Sequence, residues 1–245
     1  MNTLYIEPFS GASGDMFLSA LCGLTDSYDL IQSLPEKLNL PDGKVEIQEL
    51  NKNGIVCKHV KIIDLNEISQ NHSHDHSHQH HHGHGHHHHH GEHGHHHHHL
   101  SDYIKMALHK VASVFRVRKS GSSSHTHEHH HNRALKEINK IIDEGDITNG
   151  AKSIAKDIFN IIGLSESKIH DMPLETIHFH EVSAVDSILD IVGCAVLIDR
   201  LKVEKVYCDS VCTGFGMVKT QHGILPVPAP ATFDIMEGLP MYKGS

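Results

Sequence analysis

Between Asn71 and Leu100 the chain runs HSHDHSHQHHHGHGHHHHHGEHGHHHHH, and no hydrophobic core can be built from such a stretch. Whatever folds must therefore be assembled from the residues on either side and must close across the run. The expected organisation is an N-terminal segment over 1–70 and a His-rich insertion over 71–100 that is disordered without metal. Residues 101–245 then complete the same domain, with a second, short His-rich loop at 120–132. Setting the His-rich parts aside leaves roughly 180 residues, enough for one principal core.

The side chain used so heavily is a metal ligand. Imidazole binds borderline divalent ions as the neutral base, the form that predominates at neutral pH. His72, His74, His76, His78 and His80 alternate with small or polar residues, whereas His86–His90, which include His88, and His95–His99, which include His97, are unbroken blocks. Interspersed glycines suit several loose sites better than one rigid site. The run is internal and mixed with Asp, Glu, Ser and Gly, unlike a purification tag. An inert polar linker is the bland alternative, and the echo HTHEHHH at His125–His131 argues against it because the same bias arises twice. Nickel, copper and zinc all suit such ligands, so the run by itself does not name its metal.

The rest of the composition excludes more than it assigns. Aromatic residues make up 5% and tryptophan is absent, so the core is expected to consist of Ile, Leu and Val. The basic residues are dispersed and form no aromatic–basic platform, which argues against nucleic acid as a partner. No basic leader with an apolar stretch behind it opens the chain, and no segment approaches the ~20 apolar residues of a membrane span, so a cytoplasmic location with no membrane partner is expected. The five cysteines (Cys22, Cys57, Cys194, Cys208 and Cys212) are scattered without a C-x-x-C pair, which fits reduced thiols.

Outside the insertion the patterning predicts helices and strands in irregular alternation. Thr3–Pro8 reads as a buried strand that runs through the glycine turn Ser10–Gly14 into a helix over Asp15–Leu24. Tyr28–Leu38 reads as a helix broken by Pro35. Lys44–Leu50 and Ile55–Leu65, joined through Asn51–Gly54, read as a β-hairpin. Helices are predicted over 102–117, 133–143, 147–163 and 183–201, a strand near 203–211, and a rigid proline-spaced loop over Leu225–Thr232. The expected fold class is α/β or α+β, a mixed sheet packed with helices and interrupted by the His-rich insertion.

Three constellations carry candidate chemistry. Ser13, Gly14 and Asp15 lie where backbone N–H groups at a helix start can cradle phosphate or carboxylate, although a plain capped helix after a tight turn is the simpler explanation. In His178-Phe179-His180-Glu181 two imidazoles share one side of an extended segment, and Asp186 and Asp190 follow on one helical face. Magnesium, manganese or nickel could be held among His178, His180, Glu181 and Asp186, and the bland alternative is a buried histidine with capping carboxylates. His222 opens the proline-spaced loop and could shape a pocket. Cys208 and Cys212 would face one side of a continuous strand, although buried cysteine is more often a small hydrophobe.

IEPFSGASGDM, the His-rich insert, HFHEVSAVDSILDIVG and HGILPVPAPAT, in this order, resemble the nickel insertion proteins of the LarC type along essentially the whole chain. The resemblance implies a cyclometallase that inserts nickel into pyridinium-3,5-bisthiocarboxylic acid mononucleotide. The product is the nickel-pincer cofactor of lactate racemase, and the carbon–nickel bond forms in a CTP-dependent step. Complete members continue into a further C-terminal domain linked to binding of the nucleotide with magnesium or manganese, so a companion domain or separate chain is an implied partner, and a homo-oligomer is compatible with it. By motif, Ser13, Gly14, Asp15 and His222 would bind the phosphorylated substrate, and His178 and His180 would join the insertion histidines as nickel ligands. His180, Glu181 and Asp186 would carry the chemistry, with either His180 or Glu181 as the base. Two other readings stand beside this one: a nickel or zinc storage and delivery protein without catalysis, and a metal-dependent phosphohydrolase.

Overall fold

A short apolar strand, β1 (Asn2–Ile6), opens the chain and lies parallel to β4 (Val203–Cys208), with Tyr5 opposite Tyr207. The computed structural model describes residues 2–66, 133–179, 182–220 and 222–244. The His-rich stretches at 71–100 and 120–132, the helix expected over 102–117, and His180 and Glu181 lie outside the described residues.

The turn after β1 leads into α1 (Gly14–Thr25), which buries Phe17, Leu18, Leu21 and Cys22 along one stripe. In that turn Gly11 has φ of 76°, a backbone that a residue with a Cβ adopts only under strain. The second helical region is two short helices, α2 (Tyr28–Gln32) and α3 (Leu34–Lys37). Pro35 sits in the first turn of α3, where its missing N–H costs nothing, so it starts a helix where the sequence suggested a break.

The hairpin predicted after Asp42 is present as β2 (Gly43–Lys52) and β3 (Ile55–Asp64), antiparallel with Lys52 opposite Ile55. Asn53 and Gly54 both take positive φ, 54° and 88°, the requirement of the tight turn that suits a right-twisted ribbon. Val45 and Val60 are buried, and Ile47 and Ile62 on the same face pack against the core.

After the insertion come α4 (Leu135–Glu144) and the long α5 (Asn149–His170). Thr148 caps α5: its hydroxyl oxygen accepts from the Ala151 N–H at 3.2 Å while the hydroxyl donates to Asp199 at 2.6 Å, so one residue fixes both the helix start and its neighbour. A 3₁₀ turn (Leu174–Thr176) leads through the HFHE segment to α6 (Val185–Leu201), whose buried residues run from Val185 to Leu197 on all sides. A helix buried on nearly every side belongs in the centre, and α6 packs against α5, α1 and the hairpin. Gly193 allows the close approach, since a Cβ there would stand 2.9 Å from Leu18 Cδ1.

The strand expected over 203–211 divides into β4 and β5 (Val211–Cys212), and β5 pairs in parallel with β8 (Met241–Tyr242). Cys208 and Cys212 therefore stand on different strands, not on one. The proline-spaced loop contains a strand that alternation did not reveal: β7 (Gly223–Pro226) pairs antiparallel with β6 (Met217–Thr220). Pro226 ends it, and Pro230 opens α7 (Pro230–Ile235) as expected for a proline at a helix start. Among the described residues the fold is mixed α/β, with parallel and antiparallel pairs arranged as four two-stranded ladders around helices. One apolar cluster takes residues from both sides of the insertion, from Phe17 to Ile235.

Candidate active site

The glycine turn delivers Ser13 and Asp15 to the start of α1, and the hairpin brings a partner that the motif itself did not contain. His59 on β3 places Nε2 2.9 Å from Asp15 Oδ2. Ser13 occupies the N-cap with extended backbone (φ −94°, ψ 163°), yet its hydroxyl donates to Asp15 Oδ1 and makes no cap bond. Ser19 secures the junction, donating to the Asp15 carbonyl at 2.6 Å and accepting the Val60 N–H at 2.8 Å. Partial burial pulls the Asp15 carboxyl upward, but bonds from Ser13, His59 and the Met16 N–H, with the charge of His59, hold it below its ordinary value of 3.8.

A stability consequence follows from that direction. A depressed carboxyl contributes stability that is present above its unfolded value and is lost as pH falls through the lower folded value. Urea midpoints measured from pH 3 to pH 7 are expected to fall more steeply at the acid end for the native chain than for Asp15→Asn, and parallel curves would refute the linkage.

Residues 177–179 are held from three directions. Ile177 and Phe179 are buried and His178 between them is exposed, the alternation of an extended strand. His178 bridges to Ala134, and the Phe179 N–H donates to the Arg133 carbonyl at 3.3 Å. Arg133 Nη1 donates to the Ser183 carbonyl at 2.7 Å while Nη2 lies 3.9 Å from Asp42 Oδ2, and the Ser183 hydroxyl donates to the Phe179 carbonyl at 2.6 Å. One half-buried cation thereby ties these residues to the loop before β2. Asp186 is buried in the first turn of α6, where its carboxylate accepts the Ser187 N–H at 2.6 Å. Among the described residues no three His, Cys, Asp or Glu side chains are grouped so as to hold a metal ion, so His178 and Asp186 do not by themselves make such a site.

His222 falls elsewhere, against the C-terminal end of α5. Its ring lies 4.8 Å from that of His170, whose Nε2 is 3.4 Å from Glu166 Oε2 one turn earlier. The following α7 is pinned to α5 where Ser165 donates to the Ala231 carbonyl at 2.9 Å and Lys168 pairs with Asp234. Neither His170 nor Glu166 stood out in the sequence, because a histidine in a last helical turn reads as a favourable charge against the dipole. His59 was hidden for a similar reason, as a lone histidine in a strand whose partner lies 44 positions away. None of the five cysteines is in a disulfide. Burial pushes the Cys22 thiol up to about 12 and drives Cys194 upward as well, so neither is a nucleophile.

Residues 4–245, from β1 through β8, match the family model of the nickel insertion protein. The chain belongs to the nickel insertion protein family. A pyridinium-3,5-bisthiocarboxylic acid mononucleotide nickel insertion protein of Clostridium acetobutylicum is 37% identical over 100% of this chain and 51% of its own length. Proteins of the same name from Alkaliphilus metalliredigens and Staphylococcus epidermidis are 34% and 31% identical over 96% and 97% of the chain, in each case 45% of the relative. This family member thus spans about half the length of the curated relatives it matches. No solved structure matches it. Among the described residues no helix is long and apolar enough to cross a membrane.

Proposed function

We propose that this chain inserts nickel into pyridinium-3,5-bisthiocarboxylic acid mononucleotide, forming the nickel-pincer cofactor of lactate racemase. The observation that carries the reading is the match of residues 4–245 to the nickel insertion family, in a chain that also bears 30 histidines. In this reading nickel is cargo and substrate. The insertion histidines, among them His72, His74, His76, His78, His86, His88, His95 and His97, collect it and pass it to His178 and His180. Ser13, Gly14 and Asp15 line the substrate pocket, while Glu181 and Asp186 supply carboxylates beside the metal. Residues 1–70 and 101–245 act as one domain carrying the insertion.

The reaction is of the lyase class. It requires CTP with magnesium or manganese and a companion C-terminal domain, in cis or as a separate chain, in the cytoplasm. The substrate sulfurs capture the ion first, and loss of the ring proton follows as carbon bonds to nickel. Storage and delivery without catalysis is the second reading, favoured by the length of the His-rich run.

The two part in a single-turnover assay. The bisthiocarboxylate mononucleotide, nickel and CTP are mixed with this chain, with and without the separately supplied companion domain, and the nickel adduct is measured. Product with both parts present is the expected result. Reversible nickel binding with no product in either mixture would leave storage as the function.

A further inference from the structure

Resting on the nickel-insertion reading above, we propose that His59 takes the ring proton released as carbon bonds to nickel, and that Asp15 is the residue that positions it. The pair is built to hold one orientation. His59 Nε2 lies 2.9 Å from the Asp15 carboxylate, which selects the neutral tautomer that donates from Nε2 and carries its lone pair on Nδ1. Asp15 is itself fixed by the Ser13 hydroxyl on its other oxygen, and Ser19 clamps the start of α1 to β3 from both sides of the contact. The pair remains reachable: the His59 side chain is 28% exposed and that of Asp15 40%.

Topology places the pair at the correct end of the molecule. β1 and β4 are parallel, α1 leaves the end of β1, and α6 feeds the start of β4 through Lys202 alone. Both helices therefore begin at the end where the two strands finish, so the glycine turn with the His59–Asp15 pair and the start of α6 with Asp186 lie toward one end. Crevices outside the carboxyl ends of parallel strands are where ligands of α/β folds bind.

Chemistry favours His59 over the acceptors the motif offers. An imidazole serving as nickel ligand, the role assigned to His180, has its lone pair on the metal and has none for a proton. A carboxylate, the alternative at Glu181, is intrinsically a weaker base than an imidazole. The step balances without a redox partner. The electron pair of the ring C–H bond becomes the C–Ni bond, nickel keeps its oxidation state, and the proton passes to His59 Nδ1. The resulting imidazolium faces the Asp15 carboxylate, which stabilises it, and later releases the proton to water. The charged groups around His59 are few. From α1 comes Asp15. From β2, the residue opposite is uncharged Gln48, with Glu46 on the diagonal, and β3 itself adds Lys58 and Lys61. The third element packed against β3, α6, carries Asp186 and Asp190 in its first two turns.

The test is the pH profile of single-turnover adduct formation by this chain with its companion domain, for the native protein, His59→Gln and Asp15→Asn, each with substrate protonated or deuterated at the reacting ring carbon. His59→Gln is expected to slow adduct formation about 100-fold or more. It should also abolish the limb that protonation of the base imposes on the pH profile and enlarge the isotope effect, while nickel and substrate dissociation constants stay within about threefold. Asp15→Asn is expected to slow the step less and to displace the limb. A His59→Gln rate within about fivefold of native, or a slow variant with an unchanged pH limb, overturns the assignment and leaves the insertion reading intact. The absence of adduct from the native chain with its companion overturns both.

Discussion

Removing residues 72–99 is expected to leave nickel insertion at its native rate when nickel is plentiful and to slow it roughly tenfold to a hundredfold when free nickel falls well below the affinity of the insertion site. Weak ligands tethered near a stronger site act by effective concentration, a gain of about 10² or more that vanishes once the ion is in excess. The run holds many imidazoles and no fixed geometry is asked of them, so single replacements such as His88→Ala or His97→Ala should change little while the deletion changes much. Adduct yield measured across a nickel titration, with the metal buffered at each point, separates the roles. Equal rates for both chains at scarce nickel would remove any delivery role. A deletion variant that is inactive at saturating nickel would make the run itself the functional site, as the storage reading requires.

The sequence yielded most where local chemistry decides structure. The hairpin was legible because Asn53 and Gly54 accept the positive φ that a two-residue turn demands and because Val45, Ile47, Val60 and Ile62 keep the period of a half-buried strand. The central helix was legible from apolar residues at helical spacing, Val185, Ile188, Leu189, Val192, Val196 and Leu197. What was not legible depends on partners distant in sequence. β7 hides within a proline-rich segment because its pairing with β6 leaves Pro226 at the strand end, a place where a missing N–H is tolerated. The break between α2 and α3 lies at Ser33, before the proline, because Pro35 fits a first turn better than it ends a preceding one.

The site divides in the same way. The motif around Ser13, Gly14 and Asp15 was visible, but its geometry is completed by His59 from the hairpin, and nothing in the spacing of a single strand histidine announces a carboxylate 44 residues earlier. His222 was visible as an unusual residue, whereas its neighbours His170 and Glu166 are ordinary members of a helix until the chain folds back on them. In both cases the motif names one side of a contact and tertiary packing names the other.

Phe179→Ala is expected to destabilise the fold by about 3–5 kcal/mol, while His178→Ala beside it changes stability by no more than about 0.5 kcal/mol. Phe179 is fully buried, its ring centroid 6.2 Å from that of Phe159 at an interplanar angle of 55°, a tilted pairing that adds to the area term. Its ring passes over α5 where Gly163 leaves room, since a Cβ on that glycine would stand 3.4 Å from Phe179 Cζ. The residue thus does for the HFHE segment what a side chain in a strand can do only on one face: it enters the core and turns His178 outward. Truncation leaves a cavity against Phe159 and releases the backbone that Arg133 and Ser183 hold. Adduct formation should therefore fall at temperatures where the variant is still folded. Phe179→Leu, which keeps most of the volume, should cost far less and retain activity. Urea unfolding at equilibrium, paired with the single-turnover rate at a fixed low temperature, reads both quantities. Loss of stability with a native rate would show that the segment needs no anchoring to work, and a native urea midpoint for the alanine variant would show that Phe179 is not the anchor at all.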